Sequence, residues 1–235
     1  MLLEVDRVSK RFGGLWALRD VSFGVVDRTI HGLIGPNGSG KSTMLNVITG
    51  RYPATGGTIR FEERNLGRAR PTKRARAGIS IKFQVTSVFL GLSVRDNMRL
   101  GLSGAPRDEV ENRADELLEI VGLRDKEDLL AAQLGHGEQQ WLEIAMAIAP
   151  HPKLLLLDEP TSGMGREETA HTASLLRELR GSMAMLVIEH DMDFVRAVCD
   201  RITVLNRGEV LTEGTYEEVR HDERVVAAYL GKARG

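Results

Sequence analysis

The stretch Gly35-Pro36-Asn37-Gly38-Ser39-Gly40-Lys41-Ser42-Thr43 constrains this chain of 235 residues more tightly than anything else in it. It fits G-x-x-x-x-G-K-[ST], in which glycines let successive backbone N–H groups turn inward on phosphate oxygens. A helix starting at the lysine adds the positive end of its dipole. The pattern works only between a strand and a helix. Residues 29–34 read as a strand, and Met44, Leu45, Val47 and Ile48 stand at helical spacing within 41–49, before a stop at Gly50. Lys41 is positioned to reach β- and γ-phosphates, and the Ser42 hydroxyl to ligate Mg2+.

The rest of the chain agrees with a parallel α/β sheet around that loop. Short β-like runs at 2–8 and 21–26 precede it, and 58–61 follows it. From about residue 86 to Pro150 the character becomes helical; Val110, Leu117, Leu118 and Val121 share one face of a helix over 108–121, with Arg113 and acids opposite. Beyond Pro152, strands at 154–157 and 183–188 alternate with helices at 168–180 and 191–199. Asn206-Arg207-Gly208 then joins 202–205 to 209–211 as a hairpin. The expected architecture is one domain over 1–235. Its nucleotide-binding core comprises 1–85 and 151–235, with a mostly parallel sheet and an N-terminal antiparallel β part, and a helical subdomain is inserted at about 86–150.

A second chemical signal is the all-apolar run Leu154-Leu155-Leu156-Leu157 ending in Asp158-Glu159. A buried strand that ends in an aspartate delivers a carboxylate to the edge of the sheet, beside the phosphate loop, where it can hold the Mg2+ shell. Glu159 follows at once and can orient and deprotonate a water aimed at the γ-phosphate.

Composition excludes several other classes. Lys and Arg number 32 against 33 Asp and Glu, so no global field draws the chain to nucleic acid or anionic lipid. One cysteine, Cys199, precludes an internal disulfide and a multi-cysteine metal site, and fits a reducing compartment. The longest apolar runs, 144–149 and 183–188, are far too short to span a bilayer, and charges within 1–12 argue against a signal peptide. The expectation is a soluble, cytosolic, globular chain. His31, His151, His171 and His221 show no ligand spacing, and the basic run Arg64, Arg68, Arg70, Lys73, Arg74, Arg76 reads as a solvated face, with contact to lipid headgroups as the alternative.

Three further motifs, Gln84, Leu134-Gly135-His136-Gly137-Glu138-Gln139-Gln140 and Glu189-His190-Asp191, stand in register with the phosphate loop and Asp158-Glu159. In order and spacing, over essentially the whole length, the chain resembles an ABC transporter ATP-binding subunit. The resemblance implies ATP as ligand and substrate and Mg2+ as cofactor. It makes Phe12 the aromatic that stacks on adenine (otherwise a plain β-edge aromatic) and Gln84 a sensor of Mg2+ and γ-phosphate. By the same resemblance His190 contacts the γ-phosphate, and Gly135, His136, Gly137 and Glu138 cap the γ-phosphate of ATP on an opposite subunit. Catalysis then falls to Glu159, His190 and Lys41, and the metal to Ser42, Gln84 and Asp158. The implied partners are a second ATPase subunit (identical or a paralogue), two transmembrane permeases and, indirectly, a periplasmic solute-binding protein, with no nucleic acid. The implied location is cytoplasmic, on the inner face of the membrane.

Two positions depart from the family pattern: Gly135 replaces the usual serine of the signature, and Gly165 replaces a common aspartate in the loop after Glu159. Trp141, Phe83-Gln84, Gly163-Met164 and the tail from Glu213 to Gly231 resemble the branched-chain amino acid, urea and amide uptake group, leaning toward its urea-type subunit. The competing readings are a soluble ABC ATPase acting on DNA or ribosomes, and a regulatory module that no longer hydrolyses.

Overall fold

The computed structural model describes residues 1–82, 88–104, 106 and 108–230; Phe83, Gln84 and Gly231, singled out above, lie outside the described residues. The chain opens with β1 (Leu3–Phe12) and β2 (Leu15–Val25), an antiparallel pair turning at Gly13-Gly14. Both strands outrun the segments 2–8 and 21–26 that alternation predicts. Register shifts between Val5 and Val8, and twice more before Arg11, interrupt the period of two on which that reading depends. β3 (Ile30–Ile34) leads into α1 (Lys41–Ile48) as expected. Then come β4 (Gly56–Phe61), β5 (Arg64–Asn65), α2 (Pro71–Arg76) and β6 (Ile79–Lys82). From 94 to 148 the named α-helices are α3 (Val94–Gly101), α4 (Val110–Ile120) and α5 (His136–Ile148). α3 starts eight residues later than the composition change suggests, where the Ser93 hydroxyl accepts the Asp96 N–H as an N-cap.

The second half alternates: β7 (Leu154–Asp158), α6 (Arg166–Leu179), β8 (Ala184–Ile188), α7 (Met192–Val198), β9 (Arg201–Asn206) and β10 (Glu209–Gly214). Two short helices, α8 (Tyr216–Arg220) and α9 (Glu223–Leu230), close it. The strands form two sheets. One is β2-β1-β4-β5, antiparallel throughout; the other is β10-β9-β3-β8-β7-β6, parallel except for the edge strand β10.

Helix α1 lies between the sheets. Its Met44, Leu45, Val47 and Ile48 are buried with Leu3, Val5 and Val21 of the antiparallel sheet and with Leu33, Leu154, Leu156 and Leu186 of the parallel one. The other face of the parallel sheet buries Leu155, Leu157, Met185 and Val187 against Leu142 and Ile144 of α5, Leu175 and Leu176 of α6 and Phe194 of α7. Alternate leucines of β7 therefore serve opposite cores, which is why that strand is continuous apolar sequence. Met98, Leu117 and Leu118 of α3 and α4 extend the second core without a break.

The basic run at 64–76 is not uniformly a solvated face. Arg74 is buried and donates to four carbonyls: Val47 O (2.8 Å) and Ile48 O (2.7 Å) at the end of α1, and Ala69 O (3.0 Å) and Gly67 O (2.9 Å). A guanidinium can reach several helix-end carbonyls at once, and this contact ties α1 to α2. Arg64, Arg68, Arg70, Lys73 and Arg76 are exposed, as a solvated face requires.

Candidate nucleotide site

The loop after β3 is shaped by glycines at two close approaches. A Cβ on Gly35 (φ +149°) would lie 2.1 Å from Leu205 O, and one on Gly40 (φ +108°) would lie 2.8 Å from Ala17 O. Both positions accept only glycine, and the backbone between them is free to curl. Lys41 Nζ folds back over the loop onto Gly35 O (2.7 Å) and Pro36 O (3.3 Å). No side chain caps the first turn of α1, and no acid stands in it, so its positive end faces the loop uncompensated. Ser39 Oγ is buried and has no hydrogen-bond partner among the described residues. An orphaned hydroxyl in a glycine-rich loop at a helix start fits a phosphate oxygen. Ser42 and Asn37 are exposed and Thr43 half-buried, at the mouth of the same cradle.

Asp158 is not on the strand next to β3. β8 lies between β3 and β7, so the sheet edge bearing Asp158 is one strand removed from the strand that feeds the phosphate loop. That middle strand carries the third motif. Asp158 pairs in register with Ile188, and beyond Ile188 come Glu189 and His190. The loop, the His190 turn and the Asp158-Glu159 edge thus leave the carboxyl ends of three neighbouring strands, where open α/β sheets bind ligands. Burial, reinforced by the charge of Glu159, pushes the Asp158 carboxyl above its usual range, while Lys82 and Lys41 pull it back. Glu159 adopts a left-handed backbone (φ +49°), costly for a residue with a Cβ, and its N–H is anchored on Ile188 O at 2.9 Å. The exposed His190 ring places Nδ1 3.8 Å from Glu159 Oε1 and 3.6 Å from Glu189 Oε2.

Glu189, which the sequence reading treats only as part of a motif, organises this edge. Fully buried, it accepts from Thr161 N (3.1 Å), Thr161 Oγ1 (2.5 Å) and the His190 amide (2.9 Å). It fixes both the loop after Glu159 and the turn that presents His190. The signature segment starts α5 as expected, with Gly135 at the N-cap, its N–H donating to Glu138 Oε2 (2.9 Å) and Glu138 ion-paired to Lys126. Gly165 starts α6 by the same device, donating to Glu168 Oε2 at 2.8 Å. The two departures from the family pattern are therefore matching glycine N-caps, each closed by a glutamate three residues on. The two helix starts also touch. His136 Nε2 lies 3.0 Å from Ser162 O, and a Cβ on Gly137 would meet Glu168 Oε1 at 2.4 Å.

The sequence matches the ABC transporter family over residues 18–162, and a branched-chain amino acid ATP-binding cassette transporter family over 209–234. The chain belongs to the ABC transporter family. It is 39% identical to the high-affinity branched-chain amino acid transport ATP-binding protein LivG of Salmonella typhimurium, covering 99% of this chain and 98% of that one. It is 36% identical, at the same coverage, to BraF, the corresponding protein of Pseudomonas aeruginosa. Among solved structures, the ADP conformation of an ATP-binding cassette of an ABC transporter superposes with a TM-score of 0.91 at 29% identity, with 98% of each chain covered. This chain is thus an ATP-binding, ATP-hydrolysing subunit of the ABC type.

Within this ABC subunit, Phe12 is 42% exposed at the end of β1 and meets Tyr52 edge to face (centroids 5.2 Å), with Lys10 Nζ 4.8 Å from its ring centroid. An exposed ring braced at its edge has a face free to stack, and Tyr52 and Lys10 are supporting residues that no motif flags. Trp141 donates its indole N–H to Thr172 Oγ1 (2.9 Å) and packs on His171, so it joins α5 to α6. No helix among the described residues is long and apolar enough to cross a membrane.

Proposed function

We propose that this chain is the motor subunit of an import complex for branched-chain amino acids or chemically related small solutes. The solute class follows from LivG and BraF and from the tail match at 209–234. The observation that carries the mechanism is the convergence of the phosphate loop, Asp158-Glu159 and His190 at the carboxyl ends of β3, β7 and β8. Phe12 stacks on adenine; the loop amides, Lys41 and the Ser39 hydroxyl hold the phosphates. Glu159 orients and deprotonates the attacking water, and His190 contacts the γ-phosphate oxygens.

The donor set fits Mg2+ delivered with the nucleotide. The described residues hold no cluster of three or more His, Cys, Asp or Glu that could bind a metal alone. An exposed serine hydroxyl and a sheet-edge carboxylate are the sparse protein contribution this ion takes beside phosphates and waters. Ser42 and Asp158, with Gln84, would hold it, and the chemistry it would supply is neutralisation of phosphate charge.

The working unit pairs two such subunits, identical or paralogous, so that Gly135, His136, Gly137 and Glu138 of one face the ATP of the other. The helical stretch at about 86–150 forms the lobe that carries this signature. The pair sits at the cytoplasmic face of the membrane on two permeases, supplied from outside by a solute-binding protein. Replacing Glu159 by Gln removes the base while leaving phosphate binding intact. Steady-state turnover should fall by about 100-fold or more, and an ATP-dependent dimer should accumulate in size-exclusion chromatography. Unchanged turnover overturns the assignment of the base.

A further inference from the structure

A buried ion pair joins the signature helix to the carboxylate edge of the sheet. Lys82, the last residue of β6, sits opposite Leu157 in the parallel register, one residue before Asp158 on β7. Its ammonium lies 3.8 Å from Glu143 Oε2, and each side chain is only 1% exposed. Glu143 stands on α5 eight residues after Gly135, roughly 12 Å along the helix axis from the signature turn. Burial lowers the ammonium's affinity for its proton, and Glu143, Asp158 and Glu189 offset that loss only in part. Three carboxylates from α5, β7 and the end of β8 thus focus on one cation.

Such a pair is a poor way to gain stability. Desolvating two charges offsets their attraction, and apolar residues of similar size often replace buried pairs without loss. What the pair supplies is direction. Leucines allow α5 to slide on β6, whereas a charge buried against one carboxylate tolerates one arrangement only. Lys82 also immediately precedes the segment that contains Gln84.

We propose that Lys82 is a positioning residue that, through Glu143, locks the signature helix to the strand edge bearing Asp158, so that engagement of the signature by a second subunit is transmitted to the first subunit's hydrolytic edge. This rests on the two-subunit reading above. Lys82 touches no nucleotide in this account, and its effect runs wholly through the α5–β6 contact.

The test is a cycle of Lys82→Met, Glu143→Met and the double variant in the full-length chain. Fluorescent-nucleotide binding to the monomer, melting temperature, ATPase kinetics and, in the Glu159→Gln background, ATP-driven dimerisation are all followed. Each single variant leaves one charge buried and should lower the melting temperature; the double variant should recover it. The inference expects the double variant to bind nucleotide as the parent does, yet to dimerise about tenfold more weakly and to lose kcat at unchanged KM. Lys82→Arg, which keeps the charge, should rescue dimerisation in part. If the double variant recovers stability, dimerisation and kcat together, the pair is packing alone and the inference is overturned. If the Glu159→Gln parent does not dimerise with ATP, the two-subunit reading itself fails, which is a separate result.

Discussion

Helices α1 and α5 both have a glycine at the N-cap, but they are finished in opposite ways. α1 has no side-chain cap and no acid in its first turn, and its own Lys41 lies over the loop ahead of it. α5 has a glutamate in the first turn; Glu138 accepts the Gly135 N–H and is held by Lys126. Burial opposes ionisation of Glu138, but Lys126 and the Gly135 amide more than offset it and keep its carboxyl below the usual range. One helix end is left open for an anion. The other already holds one, from its own chain. In the proposed two-subunit unit, a phosphate brought to α5 would meet a helix start whose Gly135 N–H is already taken by Glu138.

The contrast can be broken at its strong end first. Lys41→Ala removes charge-assisted contacts to phosphate oxygens, and nucleotide affinity of the monomer should fall by about 100-fold, read by equilibrium binding of a fluorescent analogue. Affinity within a factor of two or so would mean that α1 and its amides suffice without the cation. Next in size is Gly135→Ser. The Gly135 backbone is extended (φ −61°, ψ 162°), and an added Cβ would meet Glu138 Oε2 at 3.7 Å, an ordinary contact, so the serine fits. Its hydroxyl restores a donor at the α5 opening. In the Glu159→Gln background, ATP-driven dimerisation should strengthen by about tenfold while monomer affinity stays fixed. A weaker dimer would show that the hydroxyl prefers to cap its own helix. The smallest effect belongs to Lys126→Ala. It frees Glu138 from its ion pair at a partly exposed position, so the melting temperature should drop by no more than about 2 °C. A larger drop would make the Glu138 contact a structural keystone and not a helix cap alone.

The same two helix starts show where sequence reading succeeds. α1 was legible because its motif is contiguous: the glycines, lysine and apolar spacing of 35–48 lie within one strand–loop–helix unit, and local physics decides them. The start of α5 was legible as a signature, but its chemistry was not, because Lys126 and Ser162 reach it from 10 and 26 residues away from His136. Glu189 and Arg74 follow the same rule. Nothing in the neighbourhood of either residue distinguishes a hub buried under Thr161 from a solvated acid, or a clamp on α1 from one more arginine in a basic run. The strand order follows the same rule. That β8 intervenes between the phosphate loop and Asp158 depends on crossover connections, and the apolar runs of β7 and β8 would look the same in any order.

The sequence by itself determined the phosphate loop, the carboxylate pair ending a buried strand, the alternation of strands and helices, and the family, since each of these is written in contiguous residues or in motifs whose spacing is intrinsic. Tertiary structure alone decided which strand ends meet, that His190 comes within 4 Å of Glu159 and Glu189, that Lys82 is paired with Glu143, and that the α5 opening is closed by its own glutamate. The physical reason is range. Backbone propensity and apolar periodicity act over a few residues, whereas the partner of a buried charge is chosen by whichever element the packed core brings alongside it.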